Sequence, residues 1–215
     1  MFPNIDIRET LLTIPAILIA FTFHEYAHAY MATRFGDPTP ERQGRLTANP
    51  LAHIDPWGFI LILLFRFGWA KPVQTNPSNY RGNVRQKDLL VSLAGPVANL
   101  IMAVTAGLLC LLLIRSGLLR NIGSSSASTI LEIIENVIYI NCILFIFNLV
   151  PIPPLDGFHI LTDLLPASAY RFTYTAERYG TIILMIFIIS PLSTIIVGKG
   201  GSYLFFSLLR ILGLM

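Results

Sequence analysis

TLLTIPAILIAFTFHEYAHAYMATR, residues 10–34, decides how the rest of the chain is read. Its first part is apolar or hydroxyl-bearing without a break. HEYAH at 24–28 then places three ionisable side chains in the same run before Arg34 closes it. A helix needs about 20 mostly apolar residues to cross a bilayer core of about 30 Å. This run is long enough only if His24, Glu25 and His28 lie inside the membrane. Ionisable groups at that depth are costly and mark function. Whole-chain composition agrees with a membrane setting. Hydrophobic residues make up 54% of the 215 and charged residues 13%, against about 25% charge in a soluble domain. Mean hydropathy is +0.66. Net charge is only +3 and scattered, which excludes a nucleic-acid reader. Cys110 and Cys142 both sit in apolar runs and read as small buried hydrophobes.

Further apolar runs extend this to a single integral-membrane domain over 1–215, an all-α polytopic fold with about four spanning helices. The spans are expected at 10–34, 88–115, 130–150 and 178–198. Trp57 to Phe65 (WGFILILLF) is too short to cross and reads as a re-entrant or interfacial piece. Residues 203–215 read as a short terminal helix interrupted by Arg210, and SSSAS at 124–128 as a connecting loop. Asp6 and Glu9 beside Arg8 argue against a secretory signal at the start. The segment 35–87 is rich in Pro, Gly and Asn and resists long helices. Within it, pieces near 44–50 and 69–75 read as extended, a small β element on the cytosolic side whose edge could hold a substrate. Arg34, Arg42, Arg45, Arg66, Lys71, Arg81, Arg85 and Lys87 cluster there, against Arg115 and Arg120 in the next connection. The positive-inside rule places 34–87 in the cytosol.

HEYAH fits H-E-x-x-H. Residues i and i+4 stack on one helix face, so two imidazoles can grip one Zn²⁺. Glu25, one residue on, can reach the attacking water as general base without being a ligand. The competing reading is a buried polar cluster satisfied by neighbouring helices. A catalytic zinc usually has three protein ligands. The third candidate is Asp156 in NLVPIPPLDGFH, 148–159, where Pro151, Pro153 and Pro154 break a spanning run. Broken backbone near membrane depth is tolerated where it is buried or lines a wet cavity. A plain helix stop with a solvated Asp is the alternative. Depth supports the metal: His24 lies about 21 Å of helix rise from Thr10, toward the end of its span where Asp156 also falls. Had 57–65 crossed, Asp156 would emerge on the opposite side.

These residues resemble the site-2 protease family of intramembrane zinc metalloproteases. HEYAH is similar to its zinc helix, and NLVPIPPLDG to its Asn-x-x-Pro-x-x-x-x-Asp-Gly signature. SLAGPVANL, 92–100, is similar to its Gly-Pro helix. GRLTANPLAHIDPWG followed by GWAKPV resembles the small bacterial and archaeal branch. The resemblance implies one Zn²⁺ per chain held by His24, His28 and Asp156, with Glu25 as general base. It also implies that Asn148 holds the substrate backbone or the developing oxyanion. The substrate it implies is a transmembrane protein, cleaved within or next to its membrane segment in a prokaryotic plasma membrane. A divalent-metal transporter using the same site is the rival; Glu25, adjacent to the ligands but not among them, speaks against it. His53 and Asp55 read as lining the entry or as a turn, and Asn99 as an interhelical hydrogen bond. His159 reads as a solvated helix residue, and Gly95–Pro96 as a close-packing point.

Overall fold

The computed structural model describes residues 6–65 and 68–215, so Arg66 lies outside the described residues. The first long helix, α1 (Ile7–Arg34), starts where the Asp6 carboxylate accepts the Arg8 and Glu9 amides. A one-turn helix α2 (Thr39–Arg42) and the apolar helix α3 (Pro56–Phe65) follow. Next come α4 (Val84–Arg115), capped by the Asn83 side chain, and α5 (Ser124–Asn148). A Gly at φ +71°, Gly117, turns the chain between them. The C-terminal third holds α6 (Asp156–Leu164), α7 (Tyr170–Arg178), α8 (Gly180–Ile189), the turn α9 (Pro191–Ser193) and α10 (Gly200–Leu212). A π-helical stretch, Thr194–Lys199, joins α9 to α10 in one rod.

Among the described residues four helices are long and apolar enough to cross a membrane, Ile7–Arg34, Val84–Arg115, Ser124–Asn148 and Pro191–Leu212, and α7 with α8 reaches that length only as a pair bent by 66°. Helices α1, α4 and α5 pack against one another, with α10 on α5 and α6 on α4. Small side chains set the spacing, because apolar burial gives helices in lipid little reason to associate and close backbone approach must do so instead. Ala16, Ala103, Ala106 and Cys142 sit in the shared core with Ile138 and Phe205. At Gly201 a Cβ would fall 2.4 Å from the Ile143 side chain, so only glycine lets α10 close on α5.

Three expectations are corrected. The span drawn over 178–198 does not exist as one helix. It breaks at Ser190, which is extended (ψ 155°) as the residue before Pro191 must be. The crossing candidate is therefore Pro191–Leu212, and the terminal segment 203–215 belongs mostly to it. SSSAS is the first turn of α5: Ser128 and Thr129 hydroxyls turn back onto the Ser125 carbonyl instead of leaving the helix. The cytosolic β element does not form. Among the described residues the only pairing outside helices is the isolated bridge Ile54–Ala70, because Pro50, Pro72 and Pro77 remove the amides a ladder needs.

That bridge, with the Lys71 amide on the His53 carbonyl at 2.9 Å, joins the two ends of 55–69. A segment whose ends meet leaves on the side it entered. Nearby, buried Asp37 accepts from Thr39, the Asn76 amide and Asn79, tying 37–39 to 76–79. Burial pushes its pKa up, but these hydrogen bonds outweigh that and hold it below the ordinary value.

Candidate metal centre

Helix α1 carries His24 and His28 one turn apart on the face packed against α4, and all three polar residues of HEYAH are buried. Their Nε2 atoms lie 3.1 Å apart. Asp156, first residue of α6, brings one carboxylate oxygen to 3.2 Å from His24 Nε2 and the other to 3.3 Å from His28 Nε2. Two backbone breaks make this possible. The proline-rich segment 149–155 folds α6 back against the end of α5, and Gly157 lies so close that a Cβ would meet the Leu149 carbonyl oxygen at 2.4 Å. On α4, a Cβ at Gly95 would stand 2.2 Å from His28 Nε2 and 2.7 Å from His24 Nε2. The close packing expected at Gly95 is thus specifically room for the two imidazoles.

The hydrogen bonds fix the tautomers. His28 Nδ1 faces the Val91 carbonyl at 2.8 Å. A carbonyl only accepts, so Nδ1 carries a proton, and in the neutral ring Nε2 then presents a lone pair. His24 Nδ1 faces Asn99 Oδ1 at 2.7 Å. That oxygen is identified by the other end of the amide, where Nδ2 donates to the Ala20 carbonyl at 3.2 Å and to Asn141 Oδ1 at 3.0 Å. His24 Nε2 is therefore also a lone pair. Two lone pairs and a carboxylate, with Asp156 Oδ2 buried and lacking a hydrogen-bond partner, converge on one point. Such groups repel at these distances unless a proton or a metal cation lies between them. A tetrahedral zinc with bonds of about 2.0–2.1 Å holds its ligand atoms about 3.3 Å apart; the two Nε2 atoms are 3.1 Å apart, and one ligand atom from each of the three residues lies within 4.8 Å of the others. Among the described residues this is the one group of His, Cys, Asp and Glu able to hold a metal.

Glu25 points into the same cavity, of about 430 Å³, which Asn148, Asp156 and His159 also line. Its Oε2 accepts the Val73 amide at 2.8 Å. Asn99 makes the interhelical bond expected of it and also orients His24. Asp55 is a turn residue, its carboxylate capping α3 at the Gly58 amide. His53 is fully buried, with Nε2 on the Thr47 carbonyl, and does not line the cavity. His159 is exposed at the cavity wall. Sequence reasoning assigned no role at the site to Asn141 or Arg45, and it read Val73 only as part of the extended piece 69–75. Asn141 is one of three asparagines on α5, so its type alone does not single it out; the Val73 amide reaches Glu25 through the backbone, which no side chain announces.

Compared with known proteins, the sequence matches the family described as Peptidase family M50 over residues 12–138 and 117–191. The chain belongs to peptidase family M50. This is the site-2 protease family, whose members are zinc metalloproteases. YwhC of Bacillus subtilis, named as a candidate zinc metalloprotease, is 41% identical over 195 residues, covering 90% of this chain and 84% of its own. Rip2 of Mycolicibacterium smegmatis, similarly named, is 33% identical over 189 residues, 84% of this chain and 68% of its own. MJ0611 of Methanocaldococcus jannaschii is 27% identical over 164 residues, 74% of each chain. No solved structure matches this M50 chain significantly. Zinc is the cofactor that family and cluster jointly imply.

Proposed function

We propose that the protein hydrolyses peptide bonds within or next to transmembrane segments of other membrane proteins, in regulated intramembrane proteolysis. Its active site opens toward the cytosol. The observation that carries the reading is the convergence of His24, His28 and Asp156 beside Glu25, buried among helices long enough to span. In this reading those three residues hold the zinc. When bound, zinc supplies a Lewis acid that polarises the scissile carbonyl and brings the pKa of water toward neutrality. Glu25 takes the proton of the attacking water and returns it to the leaving amine. Asn148, on the same cavity, holds the substrate backbone or the developing oxyanion through its amide. It lies at the end of α5 on the cavity wall, where an amide donor stabilises charge as it develops.

The surroundings support the substrate class. An apolar groove of about 560 Å³ runs between α1, α5 and the Pro191–Leu212 rod, lined by Ile17, Phe21, Phe147 and Val197. Phe21 precedes His24 by one turn and Phe147 adjoins Asn148 in the chain, which favours an apolar substrate segment. The eight Lys and Arg of 34–87 support the cytosolic orientation.

The test is Glu25→Gln in purified protein, with zinc measured beside cleavage of a single-span reporter protein. Retained zinc with cleavage abolished is expected. Undiminished cleavage, or site-dependent metal flux in liposomes, would overturn the reading in favour of another base or of a transporter.

A further inference from the structure

The segment GRLTANPLAHIDPWG, 44–58, contributes nothing to the metal cluster, yet Arg45, Asn49, His53 and Asp55 each make side-chain hydrogen bonds. Asn49 caps the Pro50–Ala52 turn at the Leu51 amide, and His53 closes onto Thr47. Through the Ile54–Ala70 bridge and the Lys71 amide, this platform grips the returning chain at 70–71. Arg45 does most of the gripping. It is 3% exposed. Its Nη1 donates to the Ala52 carbonyl, and its Nη2 to the carbonyls of Lys71 and Pro72 at 2.6 Å each. Three carbonyl oxygens thus converge on one planar fork. A guanidinium presents several fixed N–H directions, whereas an ammonium is a single compact point.

The strap that Arg45 holds runs directly to Glu25. Pro72 has no amide hydrogen, so the first free N–H after the clamp belongs to Val73, and it donates to Glu25 Oε2 at 2.8 Å. The carboxylate is aimed by main chain, and that main chain is set by Arg45. We propose that Arg45 is a positioning residue for the peptidase reaction, fixing the 71–73 strap so that the Val73 amide orients the Glu25 carboxylate toward the attacking water. This rests on the reading of Glu25 as general base. A carboxylate displaced by about 1 Å costs roughly 100-fold in rate, while a metal held by α1 and α6 does not sense the strap.

Arg45→Met keeps the stem and deletes the fork; Arg45→Lys keeps the charge and loses two of the three contacts. In both, zinc content is expected to stay at the wild-type level and KM within about threefold. The kcat on the single-span reporter should fall about 10- to 100-fold in Arg45→Met and less in Arg45→Lys. Amide hydrogen exchange of a peptide covering 70–76 should rise, while exchange over 20–30 stays unchanged. A wild-type kcat in zinc-loaded Arg45→Met, or in Arg45→Lys should the first variant lose its metal, overturns the proposal. Loss of zinc and of folding in both assigns Arg45 to the fold and also overturns it. Glu25→Gln run alongside separates the two readings. If that variant still cleaves, the base assignment fails whatever Arg45 does; if it is inert and Arg45→Met is wild-type, only the Arg45 proposal fails.

Discussion

Asn99→Ala should weaken zinc binding about 10- to 100-fold, the range seen when the partner of a metal-bound histidine is removed. The structure gives the reason. Asn99 is fully buried and its amide makes three hydrogen bonds, to His24 Nδ1, to the Ala20 carbonyl and to Asn141 Oδ1. Alanine leaves the His24 Nδ1–H facing a small apolar void, and an orphaned buried donor costs about 1–3 kcal/mol. Without metal the ring can turn to find another acceptor. With metal it cannot, so the cost appears in zinc affinity. At about 1.4 kcal/mol per tenfold, the expected loss is about 1.4–2.8 kcal/mol. Asn141→Ala sits one link further out and leaves Asn99 its bond to Ala20. Its effect should be about threefold, as for one neutral hydrogen bond of modest net value. Competition with a chromophoric zinc chelator in detergent reads both constants, and melting of the metal-free proteins checks that the fold survives. A zinc constant within twofold of wild type in folded Asn99→Ala would refute the argument that this amide orients His24.

Two further outcomes follow from single positions. Gly95→Ala should abolish zinc binding, because its Cβ would enter the space of both imidazoles; stoichiometric zinc in that variant would contradict the packing described. Asp163 has a buried, unpartnered Oδ2. Burial, and then the charge of Asp88, push its pKa up to about 6 from 3.8, with Arg85 pulling the other way. The folded chain therefore holds a proton that the unfolded chain releases from about pH 4 upward. Stability falls as pH rises through that window and stays lowered above it. Asp163→Asn should raise the melting temperature at pH 7 to 8 and leave it unchanged below pH 4; an equal gain at both would remove the titration as the cause.

The three residues of the candidate metal centre were legible because each sits in a local pattern. His24 and His28 are one turn apart on a helix, and Asp156 follows a proline break that no ordinary spanning helix would carry. The spans at α4 and α5 were legible from long charge-free runs within them, and α1 from an apolar run that becomes long enough only by taking in HEYAH. The last span was misread because apolar counting gives Pro191 no weight, although the backbone of Ser190 must turn extended before it. The β element was misread because β-tolerant residues at 44–50 and 69–75 lie among prolines that withhold the amides a ladder requires. Asn99 was visible as a lone amide in an apolar run, but not as one of a pair with Asn141 joined across two helices to His24.

By itself, then, the sequence determined the solvent, the ligand types and the chemistry they can do, because hydropathy and helical spacing are local properties of the chain. Only the tertiary structure decided which nitrogen of each histidine faces the Asp156 carboxylate, why residue 95 is glycine, and that a main-chain amide reaches Glu25. Apart from Asp156 itself, those are contacts between residues 48 to 75 positions apart. They depend on how closely helices and straps approach, and no local pattern encodes that distance.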